Sequence, residues 1–214
     1  MTTPLKNFIA KSHPAGNITQ WFGESPTLYK HICYAGFGCM QGHNGVDIVA
    51  PWGTPIYAVE EGIVADVKDT PGGYGKHIRI FSPTKNGTGN EWTYGHASQN
   101  LVQIGDTVEE GQMIQLMGNT GFVVSGPTPF WKKNPYAGTH LHLGCRKYRP
   151  TADGFSYNAG TPTIEFLDQR NGFFGSVDFR KELEAAEGVI GTRRQKLLTI
   201  KSLANHLLSL IKAT

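Results

Sequence analysis

Glycine and proline limit what this chain can fold into more than any other feature. There are 27 glycines and 12 prolines among 214 residues, a density that favours many short strands joined by tight turns. Turns are expected at residues 60–62, 70–75, 105–106, 109–111 and 118–121, where Gly gathers with Glu, Pro, Asp or Asn. Between them the segments alternate. Lys76-His77-Ile78-Arg79-Ile80-Phe81 reads as a strand, a polar tip follows over 82–90, and Glu91–Gly95 returns as its hairpin partner. Residues 17–23 form a short strand, 53–67 two strands broken at Glu60-Glu61-Gly62, and 101–118 a further hairpin set with 113–117 as a buried strand. Residues 24–42 lack periodicity and read as a loop. Residues 122–137 carry Pro127, Pro129 and Pro135, which deny that stretch regular structure.

The fold class expected is therefore mainly β, an antiparallel sheet domain over residues 1–150 with its core at about 18–147. Residues 151–190 form a mixed extension whose aromatics, Phe166, Phe173 and Phe174 among them, pack back on the domain. The tail differs. Leu197, Ile200, Leu203, Ala204, Leu207, Leu210 and Ile211 fall at helical spacing, which predicts a basic amphipathic helix over 191–214 that docks on its own domain or on a partner.

Charge and cysteine content narrow the function classes. Residues 1–180 hold fourteen Lys/Arg and fourteen Asp/Glu, so the net charge of +3 belongs to the tail, and no nucleic-acid partner is expected. No run is long and apolar enough to span a bilayer, and the first residues lack the apolar segment of a secretory signal. Any work outside the cell would then need another export route, a virion context or an earlier start. Three cysteines give no disulfide framework. Cys33 and Cys39 flank a short loop and either pair or pack as small hydrophobes, while Cys145 belongs to the core.

The chemistry concentrates in Gly138-Thr139-His140-Leu141-His142-Leu143-Gly144-Cys145. On a strand His140 and His142 share one face while Leu141 and Leu143 take the other. His43 and Asp47, four apart in Gly42-His43-Asn44-Gly45-Val46-Asp47, also point together on an extended segment, although taken alone Asn44-Gly45 reads more readily as a turn with His43 solvated. His96 follows the strand that ends at Gly95. A catalytic zinc takes three His or carboxylate ligands and keeps a fourth position for water. These five groups exceed that need by two, the surplus expected if some do proton or oxyanion chemistry. His13, His31, His77 and His206 match no motif and read as surface or loop histidines.

Gly42–Pro51 with Gly53-Thr54-Pro55, then Gly73-Tyr74-Gly75, Tyr94-Gly95-His96, 105–112, Gly118-Asn119-Thr120-Gly121 and His140-Leu141-His142 occur in the order found in lysostaphin-like (LytM-type) zinc endopeptidases, which this chain resembles over about 18–147. The resemblance implies a β domain of the duplicated hybrid type. It also implies one Zn2+ held by His43, Asp47 and His142, and His140 with His96 as the catalytic pair. The substrate it implies is the peptide of bacterial peptidoglycan, stem or cross-bridge. A non-catalytic regulator of another cell-wall hydrolase, built on the same domain, is the alternative. The chain departs from the pattern at Glu24, where an arginine is common, and at Leu143-Gly144, where an aromatic and an acid are common. The loop before His140 is also longer, and its Phe130, Trp131 and Tyr136 are candidates for a substrate wall.

Overall fold

A computed structural model of the chain describes residues 17–83, 87–125, 128–129, 134–150 and 164–180. The chain divides into two compact units, Phe8–Asp178 and a second comprising Met1–Asn7 and Phe179–Thr214. Only Phe179 and Arg180 of the second are among the described residues, so the predicted helix over 191–214 lies outside them. No helix among the described residues is long and apolar enough to cross a membrane.

The larger unit is built on an antiparallel sheet. Its strands run β1 (Asn17–Gln20), β4 (Val46–Val49), β14 (Leu141–Pro150), β8 (Gly89–Ala97), β7 (Lys76–Pro83), β6 (Gly62–Asp69) and β10 (Thr107–Val108) in spatial order, and β15 (Ile164–Phe166) pairs with β14. A second sheet has the order β5 (Pro55–Tyr57), β11 (Met113–Leu116) and β9 (Gln99–Asn100). The expected β7–β8 hairpin is present, with Arg79 opposite Thr93 and Ile80 opposite Trp92.

Alternation separates a core face from a wet one. Leu141, Leu143 and Cys145 of β14, Ile78 and Ile80 of β7 and Trp92 and Tyr94 of β8 are all 0–1% exposed. Burying a side chain of Leu or Ile size contributes about 1.5–3 kcal/mol, which holds β14 in register. A one-residue slip would turn these leucines to solvent and both histidines inward. The Tyr94 hydroxyl accepts from the Val59 amide at 3.0 Å, and Gln115 of β11 donates to the Tyr94 carbonyl at 3.3 Å, tying the second sheet to the first.

Three local expectations change. Residues 101–118 do not form a hairpin: β10 pairs with β6, and β11 with β5 and β9. Met113 is 46% exposed while Ile114 and Met117 are buried. The stretch 24–42 contains a short helix, α1 (Pro26–Tyr29), and a ribbon of β2 (Cys33–Tyr34) with β3 (Gly38–Cys39), across which Cys33 and Cys39 form a disulfide. A small ribbon of β12 (Val124–Ser125) and β13 (Thr128–Pro129) interrupts 122–137. Proline is tolerated there because a two-residue edge strand has ladder positions that need no amide.

Candidate metal centre and cleft

Strand pairing assembles the site. His142 on β14 lies opposite Asp47 on β4 and opposite Gly95 on β8. Val46 and Ile48, on either side of Asp47, are buried in the core, so the aspartate takes the wet face beside His142. His43 is held by its own backbone: its amide donates to the Glu24 carbonyl at 2.9 Å, and its carbonyl accepts from the Gly23 amide at 2.8 Å. Glu24, where an arginine is common in the resembled family, closes this turn by accepting from the Trp21 amide at 3.0 Å.

The result is a triangle of ligand atoms. His43 Nε2 lies 3.0 Å from His142 Nδ1 and 3.1 Å from Asp47 Oδ1, and His142 Nδ1 lies 3.1 Å from the same oxygen. His43 and His142 are buried, and Asp47 is half-buried. Ligands at about 2.0–2.1 Å around a tetrahedral zinc stand about 3.3 Å apart, so these three atoms have the spacing of one face of that tetrahedron. The donor chemistry agrees. His43 Nδ1 faces the Trp21 carbonyl at 3.3 Å, and a carbonyl can only accept, so the ring, when neutral, turns a bare Nε2 towards the carboxylate and the second imidazole. Three ligating atoms, one each from His43, Asp47 and His142, converge on a volume that would suit a cation at their centre.

The electrostatics keep these groups ready to ligate. Burial alone would raise the Asp47 pKa, but the adjoining imidazoles of His142, His43 and His140 hold it well below the usual carboxylate range. Burial lowers the pKa of His142, against the pull of the neighbouring Asp47 carboxylate. An ionised carboxylate beside neutral imidazoles is the protonation state that metal binding requires.

His140 and His96 complete the cluster. Their ring centroids are 4.6 Å apart, and His140 Nε2 is 3.7 Å from Asp47 Oδ2. Each has its Nδ1 tied to a carbonyl, His140 to Gly138 at 2.7 Å and His96 to Thr120 at 2.8 Å. When neutral, both therefore turn a bare Nε2 towards the site. His96 is neutral at pH 7, because burial and then the neighbouring His140 and His142 hold its pKa well below 6.5. Simple alternation would put His96 on the core side with Trp92 and Tyr94. Instead its φ is +67°, a left-handed conformation that costs a non-glycine residue on the order of 1–3 kcal/mol and turns its ring into the cleft.

The cleft around the cluster has a volume of about 1160 Å³. Tyr34, Phe37 and Met40 of the 24–42 segment line it, as do Phe122 and Val123. Tyr136 does not: it is 62% exposed and packs its ring 5.4 Å from Trp52. Phe130 and Trp131 lie outside the described residues. His77 is not a surface histidine. It is 5% exposed on β7, lines the cleft and binds the Gly75 carbonyl through Nδ1 at 2.9 Å. His31 is exposed, while His13 and His206 lie outside the described residues.

Several supports were not read from the sequence. The Tyr74 ring lies 5.0 Å from that of His142, and its hydroxyl accepts from Asn44 Nδ2 at 2.8 Å. Gly45 abuts the His142 ring so closely that a Cβ there would stand 2.6 Å from Cε1 and Nε2. The Gly73-Tyr74-Gly75 and Asn44-Gly45 motifs were the available signals, but both also read as ordinary turns.

The chain has clear relatives. The model of peptidase family M23 matches residues 41–154, a little over half of its length. The glycyl-glycine endopeptidase ALE-1 of Staphylococcus capitis is 26% identical over 163 residues, covering 76% of this chain and 39% of that protein. The peptidoglycan DD-endopeptidase ShyA of Vibrio cholerae is 39% identical over 85 residues, covering 40% of this chain and 18% of that protein. The chain thus spans less than half the length of these curated relatives. Among solved structures, lysostaphin from Staphylococcus simulans aligns with a TM-score of 0.49 and 20% identity, over 80% of this chain and 50% of that one.

Proposed function

The chain belongs to peptidase family M23, among its lysostaphin-like members, and from that premise we propose that it is a zinc-dependent endopeptidase that cuts peptide bonds of bacterial peptidoglycan and acts at the cell wall. The observation that carries the reading is the triangle of His43 Nε2, Asp47 Oδ1 and His142 Nδ1, with sides of 3.0–3.1 Å, at the floor of an open cleft. These three residues would hold one Zn2+. When bound, the ion lowers the pKa of a water ligand from about 15.7 to about 7 and polarises a carbonyl oxygen.

The remaining work falls to protein groups. His140, with Nδ1–H anchored on Gly138 and Nε2 bare, takes a proton from the attacking water and passes it to the leaving amine. His96 in its resting tautomer offers an acceptor at Nε2, which suits it to orient that water. It can donate to a developing oxyanion only after taking up a proton itself. The retention of all five groups in one cleft supports a catalytic role over a regulatory one.

The test is digestion of purified peptidoglycans by the zinc-loaded protein, with and without a chelator. The reading expects new peptide termini, their loss on chelation and their return with added zinc. A protein that binds one zinc yet releases nothing from any cross-bridge type would overturn it.

A further inference from the structure

Beyond the metal centre the cleft floor continues along the same face of the sheet, with His77 and Arg79 on β7, Thr93 on β8 and Gly144 and Arg146 on β14. Two arginines meet at its far end and differ in one respect. Arg146 is satisfied: its Nε and Nη2 donate to Oε1 and Oε2 of Glu91 at 2.9 and 2.7 Å, and its guanidinium lies 3.8 Å from the centre of the Phe166 ring. Glu91 is 2% exposed, and Thr93 Oγ1 adds a third contact to its Oε1 at 3.4 Å. Arg79 comes no closer to that carboxylate than 4.0 Å, through Nε, too long for a hydrogen bond. This Nε is buried with no hydrogen-bond partner among the described residues.

The nearby acids are engaged elsewhere. Asp66 lies opposite Arg79 across the β6–β7 ladder, but its Oδ2 pairs with Lys68 Nζ at 2.8 Å. Among the described residues, Arg79, Arg146 and Lys68 stand around this end of the cleft against Glu91 and Asp66, and Arg79 is the cation of the three with no carboxylate within hydrogen-bond distance. Its side chain is 28% exposed, so a ligand in the cleft can reach the guanidinium. His77, next on the same face, adds no charge at neutral pH because burial lowers its pKa.

Register places Arg79 relative to the metal centre. Arg79 pairs with Thr93, Thr93 with Gly144, and His142 is one same-face step along β14 from Gly144. Two strand spacings of about 4.8 Å and two residues of about 3.3 Å give roughly 12 Å between the Cα atoms of Arg79 and His142. Extended peptide covers that distance in about three or four residues.

We propose that Arg79 is a specificity-determining residue, a subsite for a free carboxylate on the peptide substrate about three residues from the bond that is cut. The inference rests on the endopeptidase reading and narrows it. A run of glycines carries no carboxylate between its ends, whereas a peptidoglycan stem peptide carries side carboxylates, so the substrate class is the anionic stem-peptide cross-link. An arginine fits that role because its planar fork meets both oxygens of a carboxylate.

The experiment compares the zinc-loaded wild type with Arg79→Gln and Arg79→Lys on two probes: a cross-linked stem-peptide dimer with its side carboxylates free, and the same dimer with them amidated. The wild type should prefer the free-carboxylate dimer by about tenfold or more in kcat/KM. Arg79→Gln should erase that preference through KM, with zinc content unchanged, and Arg79→Lys should keep part of it. Equal kcat/KM on both dimers in the wild type, or a preference that survives in Arg79→Gln, would overturn the inference. Calorimetric binding of the uncross-linked stem tetrapeptide, free or amidated, makes the same comparison without turnover. Carboxylate-dependent binding lost in Arg79→Gln without hydrolysis by the wild type would support the subsite and defeat the peptidase reading. Hydrolysis with no dependence on Arg79 would do the reverse.

Discussion

Gly45→Ala should disable the metal centre without touching a ligand. A Cβ at residue 45 would stand 2.6 Å from Cε1 and Nε2 of His142 and 2.7 Å from the Leu143 carbonyl oxygen. Ordinary carbon contacts are about 3.5–4.0 Å, so relief requires a shift of about 1 Å. The carbonyl belongs to the central strand and cannot give, and His142 is pinned between Gly45 and the Tyr74 ring. Ligand distances at a zinc site tolerate about ±0.2 Å, so the displaced imidazole leaves coordination range. Supporting contacts alone are typically worth about 10–100-fold in metal affinity, and moving a ligand outright should cost at least 100-fold. Overpacking should also lower stability by about 1–3 kcal/mol. Competition with a chromophoric chelator measures the affinity, and a urea melt monitored by circular dichroism measures the stability. Gly72→Ala is the control, since a Cβ there meets nothing within 4 Å. A Gly45→Ala protein that binds zinc within threefold of wild type would refute the reasoning.

Other perturbations separate the roles of neighbouring groups. His142→Ala should lose both zinc and hydrolysis, whereas His140→Ala should keep one zinc per chain by metal analysis and lose hydrolysis by at least about 100-fold. Glu91→Gln leaves two arginines around a neutral amide, and breaking such a buried pair should cost about 3 kcal/mol in a urea melt. A change below about 0.5 kcal/mol would mean that Arg146 is held by Phe166 alone. His77 is neutral in the fold because burial lowers its pKa from 6.5. The stability this contributes is complete above pH 6.5 and is lost as pH falls towards the folded-state pKa, where the unfolded chain binds the extra proton. Urea melts of the metal-free protein at pH 7.5 and 5.5 should show that loss, and His77→Gln should reduce it.

Much of this protein was legible in its local sequence. Alternation in Thr139–Cys145 set two histidines on one face and two leucines on the other, a consequence of the strand's two-residue period that needs no tertiary partner. The 76–95 hairpin followed from alternating runs around a polar tip. Local pattern failed where pairing is non-local. Nothing near Thr107 or Met113 indicates that their strands leave each other for β6 and β5. The open choice at Cys33 and Cys39 closed as a disulfide once the ribbon between them formed.

The sequence by itself determined which residue types would be available and which way most would point. Only the tertiary structure decided which of them meet. Strand order sets Asp47 beside His142 and Glu91 beside Arg146, although 95 and 55 residues separate the members of each pair. His77 became a cleft residue because β7 lies two strands from β14, and His96 entered the site only through a left-handed turn that breaks the alternation of its own strand. Periodicity is a property of the backbone and can be read one segment at a time. Convergence on one small volume depends on the order in which strands pair, and that order is chosen by burial across the whole sheet.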